Sequence, residues 1–129
     1  MNQIILEQLD QLKQKYPNSF IKERDDGSHV LIIENFPLPK GWNKNTTTVV
    51  VFIPDCYPLC KPSCFWTDKD LRLESGGVPI STCTLKNIAF VSDTYDKQWF
   101  GYHPQRWYPN RDTLLTYANF VKTRFMVAR

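Results

Sequence analysis

The sequence predicts an α+β fold that runs from an N-terminal helix through a four-stranded antiparallel meander and an irregular segment to a C-terminal helix. Three observations predict this order. Apolar residues recur at helical spacing near both ends of the chain, and short runs of β-branched and aromatic residues follow the first helical pattern. A stretch rich in Gly, Ser, Thr and Asp then separates these runs from the last helical pattern.

The N-terminal helix is predicted over residues 2–15. Apolar side chains at steps of four, three and four form one stripe along it: Ile5, Leu9, Leu12 and Tyr16. Pro17 ends the pattern because proline lacks a backbone donor and disfavours helical geometry in the residue before it.

Four strands are predicted next, and the most regular of them contains only β-branched and aromatic residues. They cover Phe20–Glu23, His29–Ile33, Thr46–Ile53 and Ser63–Trp66. The pair Asp26-Gly27 between the first two is a hairpin signal. The succession of four short strands predicts an antiparallel meander.

Residues 67–109 show little periodicity, and we expect an irregular segment that carries the working surface of the protein. Its aromatic residues argue against disorder. The closing helix is predicted from apolar residues at steps of four, three and four, and Asn110 is its expected cap. These apolar residues are Leu114, Ala118, Val121 and Phe125.

Length and charge narrow the function classes. The chain has 129 residues, which suits one domain over 1–129, and its net charge of +3 is too small for a dedicated nucleic-acid binder. No apolar run is long enough to cross a membrane and the start has no basic leader, so we expect a cytoplasmic protein without membrane contact. In that compartment the four cysteines should be reduced, and their spacing lacks the paired motif of a common zinc site.

Two motifs resemble those of the ubiquitin-conjugating enzyme superfamily. Tyr57-Pro58 with Pro62, after the strand that ends at Ile53, resembles the Tyr-Pro-x-x-x-Pro turn of that family. Trp107-x-Pro109 is similar to the family's Trp-x-Pro motif, and Phe65-Trp66 together with the late His103 looks like a bacterial branch of the superfamily. The resemblance covers nearly the whole chain. It implies the same fold, an acyl-transferase activity and no cofactor.

The resemblance also implies a nucleophilic thiol. Cys83 follows Phe65 by eighteen residues, close to the spacing of the nucleophile in the family. A catalytic thiol needs a base or a positive neighbour, and the candidates are His103 and Lys86. Alternative nucleophiles that would carry the acyl group as an oxyester are the neighbouring hydroxyls of Ser81, Thr82 and Thr84.

The usual His-Pro-Asn sequence upstream of the nucleophile is absent, and Leu73-Glu74-Ser75-Gly76-Gly77 stands in its place. Asn87 and Asp93 are candidates for the missing oxyanion donor or for an acidic group that positions a lysine, although turn residues of these types are common. Trp107 and Pro109 are expected to support the site without reacting. Cys56, Cys60 and Cys64 lie beside predicted strands and turns, where we expect buried structural roles.

The implied partners are a ubiquitin-like protein, its activating enzyme and a protein lysine as acceptor. Members of the bacterial branch that this sequence resembles tend to occur together with a ubiquitin-like protein and an activating enzyme. A second hypothesis keeps the fold without the chemistry, as a non-catalytic variant that binds a ubiquitin-like protein or another pathway member. The missing His-Pro-Asn favours this variant, whereas the intact Cys83 favours a thioester carrier. A zinc-stabilised binding module is a third hypothesis.

Overall fold

A computed structural model of the protein describes residues 2–62, 64–88 and 91–129. Within these ranges the chain forms two α-helices and one six-stranded antiparallel sheet. The predicted α+β class is therefore confirmed, and the architecture is compatible with a ubiquitin-conjugating-like fold.

Helix α1 spans Gln3–Lys15, close to its prediction, and begins where the side chain of Asn2 accepts the backbone N–H of Ile5 at 2.9 Å. Helix α2 spans Leu114–Phe125. The predicted cap of α2 at Asn110 is wrong: Thr113 caps the helix and forms a reciprocal capping box with Thr116, which satisfies two backbone donors.

The strands include the four predicted and two more. They are β1 (Ser19–Glu23), β2 (His29–Pro37), β3 (Thr46–Ile53), β4 (Phe65–Asp68), β5 (Thr82–Cys83) and β6 (Lys97–Phe100). Their order across the sheet is β1-β2-β3-β4-β6-β5. The prediction for β3 is confirmed at both ends, whereas Ser63, where the fourth strand was predicted to begin, lies outside the described residues.

The prediction of an entirely irregular segment over 67–109 is wrong. β6 pairs with β4 and β5 pairs with β6, so this segment adds two strands to the sheet, and β5 forms its edge. A short 3-10 helix, Ser92–Thr94, precedes β6. β5 has only two residues, so it is recognised as a strand only through its pairing with β6. A segment this short has no periodicity from which the sequence could predict it.

The two faces of the sheet have separate hydrophobic cores. One face packs against both helices, with Phe65, Phe100 and Phe125 among its fully buried rings. The other face carries a smaller cluster in which Val50 and Trp66 are buried and Trp99 is half-buried. Because successive side chains of a strand point to opposite faces of the sheet, each site residue on a strand lies either on the helix-covered face or on the other face.

Candidate active site

Cys83 is on the edge strand β5, half-exposed, at the end of the sheet farthest from β1. It is the direct partner of Trp99, which in turn is the partner of Trp66 on β4. Directly opposed residues of antiparallel strands point to the same face, so Cys83 shares a face with both tryptophans, away from the helices. The backbone N–H of Leu85 donates to Cys83 Sγ at 3.4 Å.

Two hydrogen bonds anchor the chain immediately before Cys83. The backbone N–H of Gly101 donates to the carbonyl of Ser81 at 2.8 Å, and Nη2 of Arg124 donates to the carbonyl of Ile80 at 3.1 Å. Arg124 is buried among carbonyl acceptors near the end of α2, and this burial lowers the pKa of its guanidinium. These bonds to the rest of the fold therefore position β5, which is too short to be stable by its own pairing alone.

A surface cavity of about 320 Å³ opens over Trp66 and Trp99. Its rim contains the predicted residues Lys86, Asn87 and His103, together with Cys64 and Ile88. The ammonium of Lys86 lies 4.1 Å from the centre of the Trp99 ring, a cation–π contact, and Trp66 Nε1 donates to the carbonyl of Lys86 at 2.9 Å. The tertiary structure therefore brings three of the predicted site residues to one cavity.

The imidazole ring of His103 lies beside the thiol of Cys64. Nδ1 of the exposed His103 ring lies 3.3 Å from Cys64 Sγ, and the Cys64 side chain is half-exposed. Sequence reasoning missed Cys64 as a functional candidate because it lies within a predicted strand, where a buried structural role was expected. The contact joins residues 39 positions apart, so no local pattern could reveal it.

The alternative hydroxyl nucleophiles differ in their surroundings. The Thr82 hydroxyl donates to the carbonyl of Pro79 at 2.7 Å, and Thr82 pairs with Phe100, which puts it on the helix-covered face. Ser81 is exposed and has a positive φ of 57°. Thr84 is half-buried beside Cys83. Cys83 therefore shares the tryptophan face, whereas Thr82 is on the opposite one.

The predicted supporting residues lie in different places. Asn87 is exposed on the cavity rim, whereas the carboxylate of Asp93 accepts Lys22 Nζ at 2.8 Å and belongs to another surface hollow beside β1. Trp107 Nε1 donates to the carbonyl of Pro58 at 2.8 Å and its ring packs against Tyr57. Pro109 is half-buried two residues farther on. The two resemblance motifs, Tyr-Pro and Trp-x-Pro, therefore meet in space.

The expectations for the other cysteines need correction. Cys56 and Cys60 are exposed and joined in a disulfide, with their Cα atoms 5.3 Å apart, so neither the predicted reduced state nor the predicted burial holds for them. The physical reason is a surface turn in which the N–H of Cys60 donates to the carbonyl of Cys56 at 3.2 Å. Among the described residues no three His, Cys, Asp or Glu side chains gather into a possible metal site.

Comparison with protein families identifies a family that matches this chain. The family model described as prokaryotic E2 family E matches residues 5–128, which is nearly the whole chain. No curated protein and no solved structure matches. Within the described residues, neither helix has the length and apolar character that crossing a membrane requires.

Proposed function

Because this chain belongs to prokaryotic E2 family E, we propose that it is a conjugating enzyme that accepts the C-terminus of a ubiquitin-like protein as a thioester on Cys83 and passes it to a lysine amine. Membership of a bacterial ubiquitin-conjugating-like family implies a conjugating role and contact with a ubiquitin-like protein and its activating enzyme.

The observation that carries the proposal is the environment of Cys83. Its sulfur lies on an open sheet edge and accepts the backbone N–H of Leu85 at 3.4 Å. A carrier must be reached by two large proteins in turn. A half-exposed thiol on an edge strand meets that requirement, whereas a thiol in the helix-covered core would not.

Two substitutions at the acyl carbonyl carbon make up the reaction. The thiolate of Cys83 attacks the thioester carbonyl of the loaded activating enzyme, a carbon–sulfur bond forms, and the enzyme's own sulfur leaves as a thiolate. The lysine amine then attacks the new thioester, loses a proton to a base or to water, and releases Cys83 as a thiolate. Neither step requires an oxidant or a metal. Lys86 contributes positive charge beside the cavity, and Asn87 is an amide donor on its rim.

The test is the intact mass of the protein after incubation with a candidate ubiquitin-like protein, its activating enzyme and ATP. We expect an adduct that reductant removes, that maps to the peptide containing Cys83, and that is absent there in Cys83→Ala. Thr84→Ala is a matched control, because it changes the adjacent half-buried side chain and leaves the thiol in place.

Two outcomes would contradict the thioester at Cys83. An adduct that survives reductant but is cleaved by mild base would move the acyl group to a hydroxyl, with Ser81 as the exposed candidate. No adduct from an activating enzyme that loads its own partner, combined with retained binding of the ubiquitin-like protein, would make the protein a non-catalytic binding variant.

A further inference from the structure

We propose that Cys64 is a second acyl-accepting thiol of this protein, with His103 as the base that takes its proton. The site is the rim of the cavity over Trp66 and Trp99, and its substrate class is a thioester whose acyl end is small and unbranched, whether a free acyl group or the C-terminus of a ubiquitin-like protein. The proposal rests on the proposed function only for the natural source of that acyl group.

The first support is geometric. A sulfur and an imidazole nitrogen 3.3 Å apart are within the range of a hydrogen bond to sulfur. In the tautomer that carries its proton on Nε2, Nδ1 of His103 is free to accept the thiol proton. A thiol paired with an imidazole is a recurring arrangement for nucleophilic cysteines. Cys83 has a backbone donor beside its sulfur, whereas Cys64 has a base.

The second support is access. Cys64 and His103 both border the cavity of about 320 Å³, and the exposed ring of His103 leaves the pair open to solvent. An acyl chain that lies over the indoles of Trp66 and Trp99 would bring its carbonyl to this rim. Because Lys86 and Asn87 border the same cavity, donors for a developing oxyanion are available there.

The third support is a buried hydroxyl near the thiol. Tyr117 is 1% exposed, and its hydroxyl has no hydrogen-bond partner among the described residues. Burial raises the pKa of Tyr117, and the charge of Cys64 raises it further, which means that the two groups are close enough to interact. The phenol therefore keeps its proton.

The reaction balances without a redox partner. The proton of the Cys64 thiol moves to Nδ1 of His103 while Sγ bonds to the thioester carbonyl carbon. The bond from that carbon to the donor sulfur breaks, and the leaving thiolate takes the proton from the imidazolium. The donor sulfur belongs either to the thioester at Cys83 or to the activating enzyme. Both routes give acylated Cys64, and each releases its own donor thiol.

The experiment uses a small probe and no partner protein. The full chain, unreduced so that the Cys56–Cys60 disulfide persists, is incubated at pH 7 with the thioester of N-acetylglycine and 2-mercaptoethanesulfonate. Acylated peptides are then quantified by mass spectrometry over time. We expect acylation on Cys64 in the wild type and in Cys83→Ala, and none on that peptide in Cys64→Ala.

The test of the base is His103→Gln, which keeps a polar side chain but cannot take the proton. General-base assistance is worth about 100-fold or more in enzymes, and for this small probe we expect acylation of Cys64 to slow about tenfold. The rate at Cys83 in the same sample is the internal control. Gln105→Ala, on the same exposed loop, should keep the wild-type rate. Circular dichroism verifies that each variant is folded.

Absence of acylation on Cys64, or an unchanged rate at Cys64 in His103→Gln, would overturn the proposal. Neither result bears on the thioester at Cys83, because this assay contains no activating enzyme. Conversely, loss of the enzyme-dependent adduct at Cys83 in the earlier assay leaves the reaction of Cys64 with the probe unaffected. The two proposals therefore fail in separate measurements.

Discussion

The indole of Trp66 and the backbone of Lys86 are joined by a hydrogen bond of 2.9 Å from Nε1 to the carbonyl oxygen. Trp66 is a buried residue of β4, whereas Lys86 is exposed in the segment after Cys83. The bond therefore holds the segment that carries the candidate nucleophile against the middle of the sheet, and the first prediction follows from it.

Trp66→Phe should release the segment at residues 84–88. Loss of one hydrogen bond and of part of the ring should lower the free energy of unfolding by about 1–2 kcal/mol. Hydrogen exchange at Leu85 and Lys86 should become faster, and loading of Cys83 should fall. Trp42→Phe is the matched control, because Trp42 Nε1 donates to the carbonyl of Phe125 in the core on the opposite face of the sheet from Trp66. Equal exchange at residues 84–88 in the two variants would contradict this role.

Gly101→Ala should displace the Trp99 ring. A Cβ at position 101 would lie 2.5 Å from a ring carbon of Trp99, closer than packed atoms tolerate, while the backbone there has no positive φ. We expect a cost of about 1–3 kcal/mol from overpacking and a change in tryptophan fluorescence as Lys86 loses its contact with the ring. In Gly77→Ala the new Cβ would make ordinary contacts at 3.5 Å, so that variant should keep the wild-type fluorescence.

Arg124→Met should loosen the strand that contains Cys83. The variant removes the donors to the carbonyls of Ile80, Val127 and Arg129 but keeps most of the apolar stem. Carbonyls left without donors cost about 1–3 kcal/mol, and we expect denaturant unfolding to register a loss of this size. Hydrogen exchange at Thr82 and Cys83 should quicken. Lys122→Met, which changes an exposed charge on the same helix, should alter neither quantity.

His29 should make the protein less stable in mild acid. The side chain is 4% exposed, and burial lowers its pKa, although Glu23 and Asp26 oppose this effect. An unfolded histidine has a pKa of about 6.5, so below that pH the unfolded chain binds a proton that the folded chain excludes. The free energy of unfolding should therefore fall as the pH decreases from about 7 towards 5.

Chemical denaturation at a series of pH values checks this dependence. His29→Phe should flatten the slope, whereas Gln105→Ala, which removes no titratable group from an exposed position, should keep it. A slope that is the same in wild type and His29→Phe would assign the acid sensitivity to other groups.

The motifs shared with the ubiquitin-conjugating family indicated where much of the candidate site lies in the sequence, but they did not determine its geometry. The Tyr-Pro turn and Trp-x-Pro were recognisable in sequence, and the structure joins them through Trp107 and Pro58. Lys86 and Asn87 were chosen for their chemistry and His103 for both its chemistry and the resemblance, and all three border one cavity. Asp93 was chosen in the same way and lies elsewhere, paired with Lys22. Residue type therefore identified the candidates, and only the contacts in the folded protein showed which of them lie together at the cavity.

The sequence by itself determined the elements whose signal is local. The apolar stripe of α1 and the β-branched run of β3 are patterns within one segment, and burial of one face follows directly from them. The tertiary structure alone decided β5, β6 and the pairing of Cys64 with His103. These features depend on hydrogen bonds and contacts between segments that are far apart in sequence. Such interactions stabilise the protein only after the entropic cost of bringing those segments together has been met, so no local pattern reveals them.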